Sequence, residues 1–101
     1  MNNMLEEIKE KIVKNSFVDE IRTNMVFNED AYIGLTSSLD ELSNELKNNS
    51  FIDKELALYL YTIPQMIQNA YMSLENKSEI AFRLEGAWIE LDALVIGCLS
   101  Q

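Results

Sequence analysis

The stretch Asn28 to Lys47, NEDAYIGLTSSLDELSNELK, decides the fold class. Tyr32, Leu35, Leu39, Leu42 and Leu46 follow one another in alternating steps of three and four, which places them on one stripe of a helix. The start is marked as clearly as the face. Asn28 is a preferred N-cap residue, and Glu29 and Asp30 put carboxylates where the exposed amides of a first turn stabilise them. Phe27, just before the cap, has the spacing to pack on Tyr32 as a hydrophobic staple.

Outward from this helix the same period recurs. Met4, Leu5, Ile8 and Ile12 predict a helix from about Asn3 to Lys14, and Phe17, Ile21 and Met25 predict a short second one. Ile52, Leu56, Tyr59, Ile63, Met66, Ile67, Ala70 and Leu74 keep one face apolar through a later helix, interrupted by Pro64. Proline removes the hydrogen bond to the carbonyl of Leu60, so this helix is expected to kink or to stop and restart there. Thr62 and Gln65 stand in the order of a capping box and favour the restart. Glu75, Asn76 and Lys77 read as a loop, and Ser78 as the cap of a last helix from Glu79 to Leu99.

Three glycines and one proline in 101 residues leave few tight turns, which a β-rich domain would need. The expected fold is therefore all-α, a compact bundle of four to five helices forming a single domain over residues 1–101. A content of 48% hydrophobic and 25% charged residues is ample for a core.

The last helix has two apolar sides. Ile80, Leu84, Ala87, Trp88, Leu91, Leu94, Val95 and Cys98 form a broad face, while Phe82, Ile89 and Ile96, seven apart, form a second stripe opposite, beside Gly86 and Ala93. Neighbours on both sides are expected, which puts this helix and helix 28–47 at the centre of the bundle. The alternative is that Phe82, Ile89 and Ile96 are a second interface with another chain.

NSFVD at Asn15 to Asp19 and NSFID at Asn49 to Asp53 lie 34 positions apart, the length of a tetratricopeptide repeat. The flanking registers disagree, so folding punctuation is the better reading. Each serine is expected to cap a helix, each aspartate to reach back to the serine amide, and each asparagine to end the preceding helix in the left-handed region.

Seventeen acids against eight bases give a net charge of −9 with no histidine. That charge opposes nucleic-acid binding, is repelled by anionic membrane surfaces and attracts basic proteins. Without histidine, serine–histidine and cysteine–histidine nucleophilic pairs are excluded, and carboxylates are the groups left for catalysis or metal binding. Glu7 and Glu10 lie on a polar helix side, and Glu79, Glu85, Glu90 and Asp92 only border apolar faces. The paired acidic motifs of a magnesium-dependent nucleotide hydrolase of helical-bundle type are absent. No catalytic residue, metal site or cofactor is expected. Cys98 is the one cysteine, has no basic neighbour in sequence and reads as an inert buried thiol. With neither a signal-peptide pattern nor a cysteine pair, the expected compartment is the cytoplasm.

One face carries the functional expectation. On helix 28–47, Asp30, Asp40, Glu41 and Glu45 point away from the leucine seam together with Asn44 and Ser37, with no base among them. Repelling acids do not help their own helix, and Glu45 lies at its unfavourable end. This face is expected to bind and neutralise a basic partner protein. In size, charge and class the chain is similar to the small acidic helical immunity proteins of bacterial toxin systems, whose toxins are often cationic nucleases, though no motif is shared. The alternative is a secretion or assembly chaperone, or a homodimer or larger homo-oligomer, formed through the last helix.

Overall fold

The computed structural model describes residues 4–47, 52–74 and 78–100. They form five helices, α1 (Met4–Lys14), α2 (Phe17–Asn24), α3 (Glu29–Leu46), α4 (Lys54–Met72) and α5 (Glu79–Leu99), with no strand among the described residues. The loop expected at Glu75 to Lys77, and Asn49, Ser50 and Phe51 of the second motif, lie outside the described residues.

The strongest local signals act as their chemistry dictates. Asn28 accepts a hydrogen bond from the Ala31 amide at 3.1 Å, and Phe27 meets Tyr32 with ring centroids 5.3 Å apart. Ser78 accepts from the Ala81 amide at 3.2 Å and starts α5. One hydrophobic cluster runs through all five helices, from Ile8 and Ile12 to Val95 and Cys98. The most extensive contact joins α4 to α5, while α3 packs on both α1 and α5, and α2 closes on α4.

The two NSF[VI]D copies differ in their roles. In the first, Ser16 precedes α2 but makes no side-chain cap; its hydroxyl donates to Glu20 instead, at 2.8 Å. Asn15 does the work expected of the serine. Its Oδ1 accepts from the Phe17 amide and its Nδ2 donates to the Ala31 carbonyl, both at 2.9 Å, so one amide side chain fixes the α1–α2 corner to the start of α3. Phe17, fully buried, then packs edge-to-face on Phe27 and at a tilt on Tyr32, with both centroids 5.0 Å away. In the second copy the aspartate itself is the N-cap, Asp53 accepting from the Glu55 amide at 3.0 Å. Asn15 is not left-handed as expected: among the described residues the left-handed one is Met25, φ 53°, which ends α2 while its side chain packs against the core.

Two further expectations are corrected. α4 continues through Pro64 without restarting, and the Thr62 hydroxyl donates to the Tyr59 carbonyl rather than capping a new helix. Leu56, Leu60 and Ile63 before the proline and Ile67 after it are all buried, so packing on both sides offsets a cost of about 3 kcal/mol for an interior proline. Nor does α5 have neighbours all round. The short axes of the molecule are 23 and 19 Å, and a helix with its side chains is about 10–12 Å across. Such a cross-section holds two helices by two, so every helix keeps an open side. For α5 that side is Phe82, Ile89 and Ile96, all exposed.

The Asn15 network predicts an asymmetric result. Asn15→Ala should destabilise the chain by about 1–2 kcal/mol, as loss of a cap does, whereas Ser16→Ala should change stability by no more than about 0.5 kcal/mol. Denaturant midpoints of the two variants measure this, and the reverse order would restore serine as the cap.

Candidate functional site

Two neighbouring surfaces stand out, on α3 and on the α4–α5 pair. The outward side of α3 presents Asp30, Ile33, Ser37, Asp40, Glu41 and Asn44, all exposed. Four of the expected site residues, Asp30, Asp40, Glu41 and Asn44, therefore share one open face. Glu45 is half-buried and engaged within the fold. The face is less uniformly uncompensated than its sequence implies, because the neighbouring helices supply cations. Lys11 of α1 lies 3.9 Å from Glu41, and Arg83 of α5 pairs with Glu29 and stacks 4.0 Å over the Phe27 ring. Asp30 and Asp40 make no ion pair with a described residue. Between them on the surface stands Ile33, 56% exposed, which sequence reasoning missed as part of this face.

Beneath this face Cys98 is buried and donates to the Leu39 carbonyl at 3.3 Å. Burial, and secondarily the charge of Asp40, pushes its pKa up to about 11, so at neutral pH it is a protonated thiol and a poor nucleophile.

The second surface is apolar. Phe82, Ile89 and Ile96 are 80%, 59% and 56% exposed, on a helix whose other side holds Leu84 and Leu91 fully buried. On α4, Leu58, Tyr61 and Met72 are exposed as well, Tyr61 beside α5 and Leu58 beside Lys9 and Val13 of α1. Between Glu55 and Glu75 no charged residue occurs, in a chain that is one-quarter charged. This uncharged run is the available sequence signal for the α4 half of the surface; Leu58, Tyr61 and Met72 lie outside the apolar face that the periodicity marks. Between the two helices an open groove of about 420 Å³ is lined by Tyr61, Pro64, Gln68, Trp88, Ile96 and the carboxylate of Asp92, among others.

Carboxylates border the stripe. Glu85 accepts a hydrogen bond from Tyr71 at 2.8 Å, and Glu90 accepts one from Tyr32, whose pKa is raised first by burial and then by that bond. Asp92 and Glu79 are exposed. These acids occupy opposite borders of one helix, and no three His, Cys, Asp or Glu residues group to hold a metal among the described residues. No helix among the described residues is long and apolar enough to cross a membrane. Comparison with protein-family models, curated proteins and solved structures gave no match.

Gly86 lies beside the stripe, and a Cβ built there meets nothing within 4 Å. A glycine inside a helix costs about 0.5–1 kcal/mol relative to alanine. Gly86→Ala should therefore stabilise the isolated chain by about that amount, read as a raised denaturant midpoint. A destabilised variant would show that something already covers this side of α5.

Proposed function

We propose that the chain is a non-catalytic binding protein that neutralises or inhibits a basic partner protein through the outward face of α3. Its leading setting is that of a cytoplasmic immunity protein to a cationic bacterial toxin such as a nuclease. The observation that carries this reading is the contrast within one helix. Glu29 and Glu41 are matched by Arg83 and Lys11, whereas Asp30 and Asp40 stand exposed around Ile33 without an ion pair among the described residues. An apolar anchor flanked by unmatched carboxylates is what a basic surface would dock against. The net charge of −9 adds long-range attraction for such a partner and repulsion from nucleic acid and anionic membranes.

Exposure of Phe82, Ile89 and Ile96 favours a second reading, a secretion or assembly chaperone or a homo-oligomeric scaffold using α5. A magnesium-dependent nucleotide hydrolase draws no support from Glu85 and Asp92, which border an open apolar stripe on one side of a single helix.

The test is co-purification from native cells with the tagged chain, comparing wild type with Asp30→Lys/Asp40→Lys. A basic protein should be retained by the wild type at low salt and released as ionic strength rises. The double variant, with an unchanged helical spectrum, should retain at least ten-fold less of it. Equal retention by both chains, or no basic protein bound by the wild type, would overturn the reading.

A further inference from the structure

On the outside of the folded chain α5 carries an apolar strip, separated from the uncharged outer side of α4 by Glu85, which accepts from Tyr71, and by Asp92, which lines the α4–α5 groove. Its spine is Phe82, Ile89 and Ile96. From Phe82 to Ile96 the spine is about 21 Å long at 1.5 Å per residue, the length of four helical turns. Gly86 lies alongside, with open space where a side chain would be, so a neighbouring backbone could approach closely. At one end of the strip the α4–α5 groove of about 420 Å³, with Trp88 in its wall, has room for a single large side chain.

The charges around the strip decide what fits it. Glu79 and Glu90 lie along one border, Glu85 and Asp92 along the other, and α4 contributes no charge between Glu55 and Glu75. Arg83, the single cation of α5, is turned to Glu29 and Phe27 and so is taken up by α3. A second copy of the chain would set one ring of carboxylates against another, a like-charge juxtaposition that penalises association. An anionic lipid surface meets the same repulsion. An apolar ridge bordered on both sides by lysine or arginine meets apolar surface at the centre and opposite charge at both edges.

The geometry points to α4–α5 as a docking site for an amphipathic basic helix of another protein. The occupant has apolar side chains every three to four residues over about four turns, one large enough for the groove, and Lys or Arg on both borders. This site lies on a different surface from the α3 face, and either can fail without the other.

Trp88 is the only tryptophan of the chain and lines the groove, so its emission reports occupancy directly. The probes are three synthetic tryptophan-free peptides of eighteen residues, titrated at physiological salt. The first carries Leu and Phe on one helical face and Lys on both borders, the second replaces Lys by Glu, and the third scrambles the first. The Lys-bordered peptide should bind saturably and shift Trp88 emission, with the other two at least ten-fold weaker. Ile89→Ser/Ile96→Ser should weaken the first peptide at least ten-fold, while Asp30→Asn/Asp40→Asn should change it less than three-fold. The comparison of peptides on the wild-type chain stands even if a variant is poorly folded. The inference is overturned if the first peptide does not bind, if the scrambled or Glu-bordered peptide binds as tightly, or if folded serine variants bind unchanged. It is also overturned if the free chain sediments as a dimer that Ile89→Ser dissociates, or if Trp88 responds instead to phosphatidylcholine vesicles.

Discussion

The packing of α5 into the angle between α3 and α4 organises the rest of the molecule. From α5 come Ala81, Leu84, Ala87, Leu91, Val95 and Cys98; from α3, Leu35, Leu39, Leu42 and Leu46; from α4, Leu60, Ile63 and Ile67, all buried. Each large side chain so buried contributes about 1.5–3 kcal/mol, and the two alanines let neighbouring backbones come near. Polar contacts then fix the helices laterally. Cys98 reaches the Leu39 carbonyl, Glu90 and Arg83 reach Tyr32 and Glu29 of α3, and Glu85 reaches Tyr71 of α4. With both flanks used in this way, the third side of α5 has no remaining element of the described chain to cover it.

The two shorter helices close the bundle from the other side. Asn15 binds the α1–α2 corner to α3, and Phe17 carries that corner into the aromatic cluster with Phe27 and Tyr32. Lys9 of α1 pairs with Asp53 at the start of α4. The hydrogen bond from Lys9 holds the Asp53 carboxyl below its ordinary range, and the same bond raises Lys9. A depressed carboxyl contributes stability above its unfolded pKa and loses it as pH falls through the folded value. A raised lysine loses its contribution only as pH rises through its folded value. The pair is therefore intact from mild acid to mild alkali.

Capping and periodicity made much of this legible from the sequence. α3 and α5 have their expected caps, and the Phe27–Tyr32 staple is formed, because these features depend on residues within one turn of each other. What failed depended on distant groups. Asn15 displaces Ser16 as the amide acceptor while its own amide is held by Ala31, sixteen residues on. Pro64 stays inside α4 because burial on both sides outweighs the local cost. The α5 stripe was expected inside because apolar periodicity reports a face without reporting whether the chain has another helix to cover it. The sequence of α3 alone leaves its acids uncompensated, because the cations that pair with Glu41 and Glu29 are Lys11 and Arg83 of other helices.

The molecule therefore satisfies its core with one side of α5 and leaves the other side apolar and bordered by acids, next to an α3 face with two unmatched aspartates. Of the two surfaces, the apolar one is the larger departure from what folding alone requires. In the free chain the α5 stripe is uncovered. Methyl NMR with a soluble paramagnetic agent measures this most directly. The Ile89 and Ile96 methyls should broaden as strongly as those of exposed Ile33, while Ile63 and Ile67 are protected. Protection of Ile89 and Ile96 equal to that of Ile67 would contradict it and place the stripe in a core.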